Sequence, residues 1–299
     1  SPARLGLAAA IACCAFTFLL GGGPIEMMLA FIAAGIGNLI RTKLIKHHFT
    51  LFLNIAVSIS ASCFIYAALL KIAEMAFNVP SIHEAGYICS MLFIIPGFPF
   101  ITSGIDLAKL DLRSGLERLA YAIIIVMVAT MFAWIMALLL QLKPMDFEDL
   151  DLGPVLHLIL RLIMSFFGVF GFSIMFNSPA SMAATAALIG AIANSLRLEL
   201  VDLTGMPAPA AAFAGALTAG LLASFIKENN GYPRISLTVP SIVIMVPGLY
   251  LYRAIYNFGI MALSDAVSWF ASAIMIIIAL PLGLIFARIL TDKTFRYCT

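Results

Sequence analysis

Residues 94–108 read Ile-Ile-Pro-Gly-Phe-Pro-Phe-Ile-Thr-Ser-Gly-Ile-Asp-Leu-Ala, and residues 243–257 read Val-Ile-Met-Val-Pro-Gly-Leu-Tyr-Leu-Tyr-Arg-Ala-Ile-Tyr-Asn. Each is an apolar run broken by Pro-Gly, at Pro96-Gly97 and again 151 positions later at Pro247-Gly248. Proline removes a backbone donor and clashes with the preceding turn, and glycine admits unusual dihedrals, so the pair frees backbone groups inside an otherwise apolar helix. In lipid such groups must face protein, water or a ligand.

The rest of the chain supplies the lipid context. Of 299 residues, 63% are hydrophobic and only 11% charged, and the mean hydropathy is +1.09. Soluble domains carry about a quarter charged residues, so a water-soluble fold is excluded. Taking about 20 apolar residues per crossing, we find ten candidate spans: 5–20, 24–40, 51–70, 85–107, 115–140, 155–176, 179–196, 208–226, 235–258 and 266–290. The first follows Arg4 like a signal peptide, but no small-residue cleavage site precedes Gly21-Gly22-Gly23, so it reads as a true span. The expected class is an all-α integral membrane protein.

Charge sets the expected orientation. With ten spans and a cytoplasmic N-terminus, one side collects 12 of the 17 basic residues with 5 acidic ones, and the other side has 5 basic and 10 acidic residues. The positive-inside rule then places both termini in the cytoplasm and the acidic segment Lys143–Asp151 outside. Net charge is only +2, with no extended basic run, which argues against nucleic-acid partners.

Beyond the two Pro-Gly breaks, Pro24 aligns with Pro179 and Gly35 with Gly190. Just after them, Arg41-Thr42-Lys43 and Lys46 align with Arg197-Leu198-Glu199 and Asp202, so equivalent loops exchange charge sign. Five spans per half is an odd number, and the second half would enter the membrane from the opposite side, where that exchange is required. The expectation is ten transmembrane helices in two inverted-topology five-helix repeats, residues 1–143 and 155–299, joined by an extracytoplasmic linker, 144–154.

Interrupted segments at corresponding positions of two halves point to a transporter's binding site, near midplane. Polar residues in spans are costly in lipid and belong inside the bundle. The expected substrate-binding set is Asn54, Pro96, Gly97, Thr102, Asn177, Pro247, Gly248 and Tyr252. Asp106 is the expected proton-coupling residue, with pairing to Lys109 or Arg113 as the competing reading. Asn177 lies in Phe176-Asn177-Ser178-Pro179, which also reads as a tight turn. The Gly/Ala-rich stretch 208–220 reads as close helix packing, which permits homo-oligomers without requiring them. His47 and His48 have no ligand partners at metal spacing and read as lipid-headgroup contacts; no metal or cofactor is expected. The five cysteines, Cys13, Cys14, Cys63, Cys89 and Cys298, read as packing residues. No P-loop, His-Glu-x-x-His or Gly-x-Ser-x-Gly motif is present, so neither ATP-driven pumping nor enzymatic activity is expected.

These motifs carry a resemblance. Residues 94–120, with Pro96-Gly97, Pro99, Asp106 and Ser114-Gly115, resemble the first membrane half of the threonine/serine exporter (ThrE) family. Phe176-Asn177-Ser178-Pro179, Val246-Pro247-Gly248 and Tyr252-Arg253 resemble elements of its second half. The chain is also similar to two-subunit relatives implicated in succinate export, here in fused form. The resemblance implies export of a small polar metabolite, threonine or serine, or alternatively a dicarboxylate, across a bacterial inner membrane, driven by protons. A passive small-solute channel is the alternative of another class, since broken helices can also line a pore.

Overall fold

The computed structural model describes residues 2–77, 80–147 and 150–296; Cys298 and residues 148–149 of the acidic linker lie outside them. Every regular element among the described residues is helical. In chain order these are α1 (Pro2–Leu19), α2 (Pro24–Lys46), α3 (Leu51–Phe77), α4 (Gly86–Met91), α5 (Gly97–Ala108), α6 (Leu112–Leu140), α7 (Pro154–Met175), α8 (Ala180–Thr204), α9 (Ala208–Asn230), α10 (Arg234–Ile242), α11 (Gly248–Gly259), α12 (Leu263–Thr291) and the short α13 (Lys293–Arg296). Eight are long and apolar enough to cross a membrane, and two bent pairs raise the number to ten if each pair is one crossing. Large apolar side chains stand exposed along α6 and α12, Met127, Leu139, Val267 and Met275 among them, as lipid contact requires. The chain is a multi-pass membrane protein.

Several helices outrun the apolar runs that announce them. The third span was expected to end at Leu70, yet α3 continues to Phe77, and α8 reaches Thr204 through Arg197, Glu199 and Asp202. Backbone hydrogen bonding does not stop where hydrocarbon does, and polar side chains on the added turns find partners: the half-buried Glu199 accepts from Arg161 of α7 at 2.7 Å, and Asp202 accepts from the same guanidinium.

The order of long helices after Pro154 follows that before it, except that the 3-10 helix Ser81–Ala85 occurs only in the first half and α13 only in the second, and the two breaks are built alike. In each, a 3-10 turn (Leu92–Ile94, Val243–Met245) is followed by one extended residue, Pro-Gly, and a new helix. Ile95 (ψ 125°) and Val246 (ψ 133°) both leave the helical region, because the ring of a following proline excludes it sterically. The axis turns by 54° at the first break and 42° at the second.

Two compact units form, and they are not the two sequence halves. The first comprises Ser1–Ile95, Ile124–Pro154 and Gly248–Trp269; the second comprises Pro96–Ile123, Val155–Pro247 and Phe270–Thr299. Each unit therefore holds the helix that follows the other half's break: α11 packs on α4 in the first, and α5 packs on α10 and its 3-10 turn in the second. Within the first unit α1 and α2 approach closely, with Gly6 of α1 set on Leu39 and Gly35 of α2 on Ala10. Within the second, α8 and α9 pack together with Gly215 of α9 set on the Ala193 carbonyl of α8. Small residues let backbones gain dispersion contact where lipid tails leave little hydrophobic drive between helices.

Candidate functional site

In the first unit the residues expected to bind substrate lie on α3 and α11, beside α4. Tyr87 of α4 and Tyr252 of α11 are both fully buried. Their hydroxyl oxygens lie 2.6 Å apart and their rings meet edge-on at 5.8 Å. One hydroxyl donates to the other, so the accepting one keeps a proton of its own to donate elsewhere. Gly248 opens α11 beside α4's 3-10 turn: a Cβ there would stand 2.9 Å from Leu92 Cδ2. Asn54 is buried on α3 and accepts from Ser58 Oγ at 3.3 Å through its side-chain oxygen, which leaves its NH₂ donors without a protein acceptor among the described residues. The break itself frees the Phe93 carbonyl, and Arg41 Nη1 donates to it at 3.3 Å.

The second unit carries the matching construction. Pro96 caps α5 and Pro99 falls in its first turn, where a missing N–H costs nothing. Gly97 faces the other 3-10 turn, and a Cβ there would stand 2.6 Å from Val243 Cγ2. Thr102 is buried one turn on and donates back to the Phe98 carbonyl at 3.0 Å. Pro247 ends the extended bend that follows Val243–Met245. Asp106 Oδ2 lies 2.9 Å from Arg118 Nη1. The sequence pointed to Lys109 or Arg113 as its partner, along the same helix. Leu110 instead takes a left-handed conformation (φ 63°), α6 folds back over the end of α5, and the contact is made across that turn. Asn177 (φ 61°) is exposed and ends α7: its N–H donates to the Ile174 carbonyl, and the Ser178 N–H donates to that of Ser173. Those two bonds are the signature of a left-handed helix cap, a position where asparagine is tolerated.

Three polar constructions were not legible in the sequence. Glu26, only 4% exposed, accepts from the Gly23 N–H at 3.0 Å and pairs with His83 Nδ1 at 2.6 Å, and Tyr66 donates to the His83 carbonyl at 2.7 Å. Glu26 does stand at the third helical position of α2, where a carboxylate caps the preceding amide, and that much could have been found. Arg253 of α11 donates to Asp146 at 2.8 Å and to the Met145 carbonyl at 3.1 Å, with its guanidinium 4.8 Å above the Trp269 ring. In α7 and α8, Asn194 donates to Ser165 at 2.8 Å and accepts from Arg197 at 3.0 Å. Apart from the Gly23–Glu26 and Asn194–Arg197 contacts, none of these follows from local spacing, because the partners come from distant segments.

The residues expected from the sequence thus divide as Asn54, Gly248 and Tyr252 in the first unit, and Pro96, Gly97, Thr102, Asp106, Asn177 and Pro247 in the second. Among the described residues, no three His, Cys, Asp or Glu side chains gather in a group that could hold a metal ion.

Comparison with known proteins agrees with this architecture. A family model described as "Putative threonine/serine exporter" (ThrE) matches residues 2–141, and one described as "Threonine/Serine exporter, ThrE" matches residues 161–290. The chain is 30% identical over 134 residues to an Escherichia coli (strain K12) protein named "Probable succinate transporter subunit YjjP", an alignment covering 45% of this chain. It spans 50% of the length of that curated relative. No solved structure matches the chain. With its two halves matched in order and a Pro-Gly break in each, the chain belongs to the threonine/serine exporter family.

Proposed function

We propose that the protein is a secondary active exporter of small polar metabolites, threonine and serine first, working by alternating access and coupled to protons. Ten crossings in two five-helix repeats of opposite orientation, with both termini in the cytoplasm and the chain in the inner membrane, are part of the same reading. The observation that carries it is the pair of Pro-Gly breaks, equivalent in position and in packing, each glycine set against the other half's 3-10 turn. Breaks of this kind present unwound carbonyls and helix N-termini to a substrate's ammonium and carboxylate. Pro96, Gly97, Pro247 and Gly248 shape that backbone, and Asn54, Thr102 and Tyr252 supply side-chain donors and acceptors. Asn177 sets the entry to α8. Asp106, held by Arg118, takes up and releases the proton. The charge asymmetry of the loops supports the orientation.

Succinate or a related dicarboxylate is the alternative substrate, favoured by the printed name of the curated relative. Reconstitution in vesicles with an imposed pH gradient tests the reading. Labelled threonine, serine and succinate are offered in turn, and saturable counterflow with accumulation against the gradient of one of them is expected. Linear, non-saturable flux without counterflow would mark a channel and overturn the proposal.

A further inference from the structure

The second unit contains an open cleft of about 820 Å³ at the ends of α5 and α10 that lie away from the breaks, lined also by the end of α12 and by α13. Four cationic residues line it, Lys109, Arg234, Arg288 and Lys293, against a single acid, Asp292. Arg288 Nε reaches Asp292 only at 3.4 Å, and its guanidinium is stacked on Phe295 at 4.1 Å. Arg234 is held by neutral oxygens alone: Nη1 donates to Thr291 Oγ1 at 3.0 Å and Nη2 to the Gly220 carbonyl at 3.1 Å. Among the described residues neither Lys109 nor Lys293 pairs with a carboxylate, and Asp106, the acid nearest Lys109 in sequence, is engaged by Arg118.

Helix electrostatics accounts for only part of this cluster. Cations are favourable at helix C-termini, and α5 and α12 both end here, which suits Lys109 and Arg288. Arg234 opens α10, and a cation at a helix N-terminus is unfavourable for the same reason. Its hydrogen bonds fix the guanidinium in place without neutralising it. A cleft with fixed positive charge in excess of its one acid, Asp292, and partly apolar walls (Ile105, Ile235, Leu284) concentrates field lines and attracts anions.

We infer that this cleft is an anion-binding site, distinct from the Pro-Gly breaks, that takes a compact group of two negative charges, carboxylate or phosphate, and rejects zwitterions. Arg234 and Arg288 provide planar donors suited to an oxyanion, and Lys109 and Lys293 add mobile charge. The anion arrives either as a free solute or as a lipid headgroup. The inference is independent of what the protein exports.

The full chain is placed in nanodiscs of phosphatidylcholine and titrated calorimetrically with succinate, inorganic phosphate and threonine. In a second arm, phosphatidic acid is mixed into the disc before succinate and phosphate are added. The comparison is Lys109→Gln/Lys293→Gln, two exposed side chains whose replacement leaves the packing intact, which an unchanged melting midpoint verifies. Succinate or phosphate is expected to bind, more weakly at higher ionic strength, with at least a tenfold loss in the double variant, whereas threonine, which would bind at the breaks and not in the cleft, is expected to bind wild type and double variant alike. Anion binding that phosphatidic acid leaves intact assigns the site to a solute. Retention of phosphatidic acid that depends on the two lysines assigns it to a headgroup. Threonine binding that falls in the double variant as the dianions' does, or anion and lipid binding alike in wild type and double variant, overturns the inference.

Discussion

Gly97 rests on Val243, and the same relationship recurs where Gly248 rests on Leu92; added Cβ atoms would stand 2.6 Å and 2.9 Å from those side chains. The four residues are related by the same 151-position shift that aligns the two breaks. Each contact lies inside one unit, so each unit is sealed by a helix that the other half of the chain supplies.

Gly97→Ala is therefore expected to force Val243 aside and to cost about 1–3 kcal/mol, the usual range for overpacking. Val243→Ala in the same chain makes room and restores most of it. Melting midpoints of the wild type, both single variants and the double variant give the coupling, and simple additivity would show that the two residues do not meet.

Gly190→Ala should be harsher and beyond such rescue. A Cβ at Gly190 would stand 2.6 Å from Val169 Cγ2 but also 2.7 Å from the Ser241 carbonyl oxygen. A side chain can rotate, whereas the backbone of α10 moves only with its neighbours. Adding Val169→Ala to Gly190→Ala is expected to leave the yield of folded protein low, measured by size-exclusion chromatography in detergent.

The Tyr87 and Tyr252 hydroxyls share one hydrogen bond of 2.6 Å in a fully buried position. Removing one, in Tyr252→Phe, strands the other and lowers stability by about 1–3 kcal/mol, while removing both is close to neutral. Transport separates packing from function: flux that recovers together with stability in the double phenylalanine variant would deny the hydroxyls any contact with substrate, and flux that stays low is expected.

Glu26 serves two partners, the Gly23 N–H and His83 Nδ1. Glu26→Ala strands both and should cost roughly 1–3 kcal/mol for the unsatisfied buried groups. Glu26→Gln keeps an acceptor for Gly23 and should cost less. Equal losses in the two variants, read from thermal melts, would show that the cap bond contributes nothing.

Asp106→Asn keeps the size of the side chain and removes its charge beside Arg118. Export driven by a pH gradient is expected to fall to the level seen without a gradient, while counterflow under equal pH persists. A variant that still accumulates substrate against its gradient would move proton coupling to another residue.

The apolar runs determined the helical class and the neighbourhood of each candidate crossing, because hydrocarbon admits no unpaired backbone and helices satisfy their own. Pro96-Gly97 and Pro247-Gly248 located the breaks to the residue, since proline's missing donor and ring act locally whatever surrounds them. Asn177 was legible both as a turn and as a site residue, and its left-handed backbone shows the first. The partners of Asp106 and Glu26 were not legible: Arg118 reaches its acid across a chain reversal, and His83 lies 57 positions from Glu26.

Composition and local sterics thus determined how many apolar segments there are, that they are helices, and where two of them must break. Only the tertiary structure decided that α5 and α11 change places between the units, that two tyrosines 165 positions apart share a hydrogen bond, and that four cations collect in one cleft. The physical reason is range. Dihedral preference and apolar run length are properties of neighbours along the chain, whereas pairing of buried polar groups is settled by which segments pack together, and many such pairings are compatible with the same hydrophobic pattern.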